Sequence, residues 1–337
     1  MHEINETDNV LLHTDRAWHG LGTIVTEDLT PQEALVRCGL DWTVEPETIF
    51  REMDGQQVAI DSHRLMVRSD NRAQLGMVGP QYEPVQNSEL ADLADVLKKT
   101  DSRVTVETCG SIRDGKKVWF LCRSESFNIG NFDDEVIPYL LLSNGHDGLT
   151  ALRVTPTTVR VVCSNTLHAV IPDEAKGECR TSVPSLAFSH TANMKQRVEQ
   201  AKSSLLMMHE SVSETRELAD YMSTQDVRTK ELVGYFCACY ERDFGAIPIA
   251  AETPAEHRAK LKAHAAFDSM TERFDNDINL SGANWWTAFN AYSGWMQHDQ
   301  RNCTTENQVE NQMYSNLLGS NASRTQAAFE AACQLAS

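Results

Sequence analysis

The sequence predicts an α+β protein in which N-terminal antiparallel β-hairpins with one packed helix are followed by a C-terminal helical region. Three observations carry this. Short extended runs punctuated by turn residues fill most of the first 170 residues, and from Ser189 onward the apolar residues fall at helical spacing. No strand–helix–strand alternation of the doubly wound kind joins the two halves.

Taken in order, Trp42 to Phe50, Gln57 to Ile60, Arg64 to Val67 and Leu75 to Val78 are short extended runs, separated by Asp54-Gly55 and Ser69-Asp70-Asn71. The separators are turn formers, so the runs are predicted to fold as successive hairpins. Leu90, Leu93, Ala94 and Leu97 then repeat at helical spacing behind Asn87-Ser88, which are capping residues, with Glu89 near the positive end of the dipole. Strands resume at Arg103 to Ser111 and Lys117 to Cys122 around Arg113-Asp114-Gly115, and at Val136 to Leu142 and Thr150 to Thr155 around Asn144-Gly145-His146-Asp147-Gly148. Met194, Val198, Ala201, Leu205 and Met208 lie on one helical face. Further helices are predicted at about 212–244, 254–274, 284–299, 306–318 and 322–335, with a break at the two prolines of Ala246 to Pro254. The division is therefore 1–188, an antiparallel α+β domain, and 189–337, a helical domain.

The 337 residues are 41% hydrophobic and 23% charged, enough to bury a core. No run approaches the roughly 18 apolar residues of a membrane helix, and Met1-His2-Glu3-Ile4-Asn5-Glu6 lacks the parts of a signal peptide. A cytoplasmic protein with no membrane partner is expected. The nine cysteines are odd in number and scattered, which fits reduced, buried thiols; Cys237 and Cys239 have one intervening residue and sit in an apolar helical run, a poor fit to zinc or redox chemistry.

The net charge is −18, which argues against coating nucleic acid through bulk positive charge. The acidity is uneven. Residues 1–150 hold 13 basic and 26 acidic residues, 151–204 hold 7 and 4, and 205–337 hold 10 and 18. The one locally basic stretch interleaves Arg and Lys with Ser, Thr and Asn, the usual donors to phosphate oxygens, and strand alternation places Thr158, Arg160, Val162 and Ser164 on one face. Arg153, Thr157, Arg160, Asn165 and Lys195 are the candidate DNA-contacting residues. The competing reading is a solvated strand face.

Other motifs carry less. Trp18-His19-Gly20-Leu21-Gly22 has a G-x-G pattern without the strand and helix a dinucleotide cradle needs, and fits a turn pinned by Trp18. His13 and His19 lack metal-ligand partners at helical spacing, so no metal and no cofactor are expected. Pro172-Asp173-Glu174-Ala175-Lys176 echoes the elements of metal-dependent nucleases, but nuclease carboxylates come from separate strands whereas these are adjacent. No Gly-x-Ser-x-Gly elbow and no P-loop occurs, so no catalytic residue is assigned. Trp285, Trp286, Phe289, Tyr292 and Trp295 lie at helical spacing and fit a core or subunit interface better than a base-stacking surface.

Four blocks occur in order: Trp18-His19-Gly20-Leu21-Gly22-Thr23, Gln81-Tyr82-Glu83-Pro84-Val85-Gln86-Asn87, Arg160-Val161-Val162-Cys163-Ser164-Asn165-Thr166-Leu167 and Asn284-Trp285-Trp286-Thr287-Ala288-Phe289-Asn290-Ala291. Together they resemble a phage- and plasmid-related family of unknown function carried by prophages and conjugative plasmids. That resemblance implies a role in DNA replication, recombination or evasion of host defence. The hairpin, helix and further-hairpin layout is also similar to the core of ring-forming single-strand annealing proteins. The expectation is a non-enzymatic, homo-oligomeric DNA-binding protein of a mobile element, handling or annealing single-stranded DNA without ATP. An acidic interaction protein that meets host or phage proteins and antagonises a DNA-targeting defence system is the second expectation, and a metal-dependent nuclease the third.

Overall fold

The computed structural model describes residues 10–12, 23–24, 29–149, 151–160, 165–168, 186–188, 194–301, 308, 311–312, 314–316 and 319–337. In chain order the elements are β1 (Val10–Leu12), β2 (Thr23–Ile24), α1 (Pro31–Arg37), β3 (Val44–Met53), β4 (Gln56–Arg68), β5 (Gln74–Val78), α2 (Asn87–Thr100), β6 (Thr105–Ile112), β7 (Lys117–Arg123), β8 (Phe127–Asn128), β9 (Glu135–Gly145), β10 (Leu152–Arg160), β11 (Asn165–His168) and β12 (Leu186–Phe188). Helices follow: α3 (Met194–Thr224), α4 (Thr229–Phe244), α5 (Pro254–Ser281), α6 (Trp285–Gly294), a π-turn (Trp295–Asp299) and α7 (Ser320–Ala336). The fold is α+β, with antiparallel sheets in the N-terminal half and helices in the C-terminal half.

Two compact units share the chain. The first is Met1–Glu125, Pro138–Pro156 and Ser185–His209, and the second is Ser126–Ile137, Thr157–Pro184 and Glu210–Ser337. They are interleaved along the chain, and the change from strands to helices falls between β12 and α3.

In the first unit, β7 pairs with β6 on one side and β9 on the other, both antiparallel. The row Cys109, Phe120 and Leu142 is in register across the three strands, and the helices α1 and α2 cover this side. Leu90, Leu93 and Leu97 of α2 are fully buried, each contributing on the order of 2 kcal/mol from apolar area removed from water. The thiols of Cys38 and Cys109 meet at 3.1 Å beneath α1. Asn87, whose side chain is buried, donates to Leu40 O (2.9 Å) and Trp42 O (3.3 Å), while its Oδ1 lies 2.9 Å from His146 Nε2. The β6–β7 turn has Arg113, Asp114 and Gly115 all at positive φ, as its sequence indicated. Gly115 has a second reason to be glycine, because a Cβ there would stand 2.8 Å from the Trp42 ring, which lies under the Arg68 guanidinium.

A separate sheet, β3-β4-β5, also belongs to this unit. The expectation of two strands at 57–60 and 64–67 is corrected here: they are one strand, β4, with a register shift opposite Thr48/Ile49 where Asp61 to His63 are extra. Helix α1 was not expected either. It is set by a capping box in which Glu33 accepts from the Thr30 backbone N–H (2.8 Å) and Thr30 Oγ1 accepts from the Glu33 N–H (3.2 Å), with Pro31 at the first turn.

In the second unit β8 pairs with the start of β9, and the last four residues of β10 pair with β11, Arg160 opposite Asn165 and Thr157 opposite His168. Helices α6 and α7 lie against β11. Trp285, Trp286, Phe289, Tyr292 and Trp295 are all buried in the core of this unit, packed with Tyr235, Phe236, Met270 and Phe329. That assigns the aromatic cluster to the core. Asp134, fully buried, anchors this arrangement by accepting from Trp286 Nε1 (2.8 Å) and Ser281 Oγ (2.9 Å). The continuous helix expected over 212–244 is corrected to α3 and α4. The chain between them pairs with the segment entering α6, through Val227 N–H to Ala283 O and Trp285 N–H to Gln225 O, each 3.1 Å. Those backbone bonds replace helical ones and end α3.

Candidate functional site

Helix α6 runs into a π-turn in which the Gln300 N–H donates to Trp295 O at 2.8 Å, five residues back. In an α-helix that N–H would serve Met296 O. The Met296 carbonyl freed in this way and the Gln297 carbonyl of the last turn gather side-chain amides: Gln312 Nε2 donates to both (3.4 and 2.9 Å), Asn316 Nδ2 to Gln297 O (3.2 Å) and Asn321 Nδ2 to Met296 O (3.4 Å). Asn321 Nδ2 also donates to Asn316 Oδ1 at 2.9 Å, and Gln297 Nε2 to Thr325 Oγ1 at 3.3 Å. Gln326 Nε2 continues the layer to Glu330 Oε1 at 3.3 Å. All these side chains are buried. A buried amide layer of this size is anchored at one end by the π-turn and at the other by α7.

One wall of an open cleft of about 650 Å³ is built on this layer. Among the described residues it is lined by Arg301, Gln308, Asn311, Tyr314, Ser315, Gly319 and Ser320. Ser315 connects cleft and layer: its Oγ lies 3.2 Å from Ser320 Oγ and accepts from the Asn321 N–H at 3.3 Å. Gly319 permits the approach, since a Cβ on it would come within 2.8 Å of Ser315 Cα. Helix α7 starts at the cleft, where Ser315 Oγ takes the Asn321 N–H, so the positive end of its dipole lies there.

Among the described residues Arg301 is the one charged residue of this lining, and no described carboxylate stands with it. The nearest acid in sequence, Asp299, is engaged elsewhere. Arg273 holds it through two bonds (Nε to Oδ2, 2.6 Å, and a second guanidinium nitrogen to Oδ1, 2.8 Å), and Ser269 Oγ donates at 2.8 Å. Burial works against the Asp299 charge, but the hydrogen bonds from Arg273 and Ser269 outweigh it and hold the carboxyl below the usual aspartate range. Gly294 gives Arg273 room, because a Cβ there would lie 2.8 Å from the guanidinium. The cleft thus offers a guanidinium, hydroxyls, side-chain amides, a phenol and a helix N-terminus, a donor set suited to an anion flanked by a flat ring.

The residues singled out from sequence are distributed as follows. Arg153 is exposed on the part of β10 that pairs with β12, in the first unit, and Lys195 is in the first turn of α3, also in the first unit. Thr157, Arg160 and Asn165 belong to the β10–β11 hairpin of the second unit, where Arg160 and Asn165 are brought opposite one another. Thr157 is fully buried, and so is its neighbour Thr158. The expected alternation along β10 stops after Arg153, because Val154, Thr155 and Thr158 are buried as well. The side chains of Arg160, Asn165 and Lys195 lie outside the described residues, as do His13, His19, the Gly20–Gly22 turn, Val162, Ser164 and the 172–176 segment.

Arg301 was not singled out from the sequence. It sits in the net-acidic stretch 205–337, and its role depends on a π-turn that preserves helical spacing, so no local pattern exposes it. Burial raises the Cys237 and Cys239 thiols, which opposes a thiolate site there. Among the described residues no group of three or more His, Cys, Asp or Glu could hold a metal ion, and no helix is long and apolar enough to cross a membrane.

Residues 74–327 match the family described as "Domain of unknown function (DUF932)". No curated protein matches, and no solved structure matches.

Proposed function

The chain belongs to the DUF932 family, whose function is unassigned, and we propose that it binds single-stranded DNA at the Arg301 cleft and handles or anneals strands for a mobile element. The observation that carries this reading is the lining: among the described residues, a guanidinium and no carboxylate, beside Ser315, Ser320, Asn311, Gln308 and the Tyr314 ring. A phosphate takes the guanidinium and hydroxyl donors, and a base stacks on the phenol, worth on the order of 1–3 kcal/mol. The volume of about 650 Å³ is within the range of sites that enclose a small ligand or a short piece of strand. A net charge of −18 fits such a local site and opposes binding along a duplex. Arg160 and Asn165, in the same unit, supply further phosphate contacts in this reading.

Fluorescence anisotropy of a labelled oligodeoxythymidine tests it. The chain should bind at low salt and release as salt rises, Arg301→Ala should weaken binding several-fold, and the oligonucleotide should be recovered intact with magnesium present. Undiminished binding by Arg301→Ala overturns the cleft assignment, and no binding at low salt overturns the reading as a whole. Shortening of the oligonucleotide would favour a nuclease.

A further inference from the structure

We propose that the tip of the β3–β4 ribbon is a self-association edge, at which two copies of this chain pair antiparallel, β3 against β3, about a dyad at Ile49. Among the described strands β3 is outermost in its sheet, and β5 reaches β4 only as far as Arg64. Beyond that point the ribbon is two strands with both faces turned to solvent. Such a ribbon is marginally stable alone. This one nonetheless exposes Phe50 (54%), Met53 (44%) and Val58 (38%), and its register puts Ile49, Met53, Val58 and Ile60 on one face.

The base of the edge is blunted and the tip is not. At Val44 both the N–H and the C=O are taken by the Gln86 side-chain amide (2.8 and 3.1 Å), and Pro46, next in the outward alternation, has no N–H. Thr48, Phe50 and Glu52 continue that alternation toward the tip without such a device, so their backbone groups face outward.

The charges say which partner fits. Antiparallel pairing centred on Ile49 sets Ile49 against its own copy and Arg51 of each chain opposite Glu47 of the other. Arg51 has no partner within the chain among the described residues, and Glu47 meets Arg72 through one oxygen, Oε1. Centring the dyad on Phe50 instead would set Glu47 against Met53. Centring it on Thr48 would set Arg51 against Glu45 but Ile49 against Glu47, so of these three centres Ile49 alone joins both apolar to apolar and opposite charges, and a two-fold pairing of identical edges closes as a dimer.

The test uses the full chain. Facing residues on the dyad are close enough for a disulfide, so Ile49→Cys should give a cross-linked dimer on a non-reducing gel after mild oxidation, above the wild-type background. Gln57→Cys, on the far strand, should not. By light scattering Arg51→Glu should shift the mass from dimer to monomer, and adding Glu47→Arg should restore the dimer; circular dichroism checks that each variant is folded. Equal cross-linking of the two cysteine variants, or a mass unaltered by Arg51→Glu, overturns the proposal.

Discussion

The Asp299 carboxylate shows how one ion pair shapes the cleft. Because Arg273 and Ser269 stabilise its charged form, its folded-state pKa lies below the ordinary value of 3.8. The stability it contributes is present above that ordinary value and is lost as pH falls through the lower folded one. Asp299→Asn should therefore destabilise by about 1 kcal/mol at neutral pH. The gap between parent and variant urea midpoints should close as pH drops below 3.8, and a gap that persists in acid would show that the contribution is not ionic. Asp134 is a second case: Asp134→Ala removes the acceptor shared by Trp286 Nε1 and Ser281 Oγ, and should cost about 2–4 kcal/mol in urea unfolding. At this scale the sequence was legible where a residue's local pattern carries its role, as in the Arg113-Asp114-Gly115 turn or the buried tryptophans. It was not legible for Thr157, whose burial depends on what packs over both faces of β10, nor for Arg301, whose setting is made by residues distant in sequence.

Among the elements, the π-turn decides most. Helical periodicity through Trp295, Met296 and Gln297 correctly indicates a helix up to 299, but periodicity does not reveal that one hydrogen bond skips a residue and frees the Met296 carbonyl. Asn321→Leu removes the amide that serves Met296 O and Asn316 Oδ1, and should cost about 1–3 kcal/mol in thermal or urea unfolding. An unchanged stability would mean the amide layer relaxes around the loss. Other elements divide in the same way. The helix α2 and the β6–β7 hairpin are written in local caps and turns. The α3–α4 break is not, because the bridge between Asp226 and Asn284 joins segments far apart in sequence. Helix α1 had a readable start in Thr30, Pro31 and Glu33, but seven residues give too little periodicity to stand out.

For the whole molecule, the strand-to-helix change at about 188 is a property of sequence, whereas the compact units are interleaved across it. Order along the chain does not decide which unit a segment joins. The same holds for charge: a net of −18 describes the molecule, while the described lining of the cleft presents Arg301 and no acid. An acidic protein with a local anion site should bind single strands weakly, with few phosphates neutralised and a shallow salt dependence. The most direct measurement is the slope of log affinity against log salt for oligodeoxythymidine, in the parent and in Arg301→Ala. The account expects binding by the parent and a slope reduced in the variant by about 0.7, the signature of one lost phosphate contact on a single strand. Parent and variant curves that coincide, or a parent that fails to bind at low salt, would contradict it.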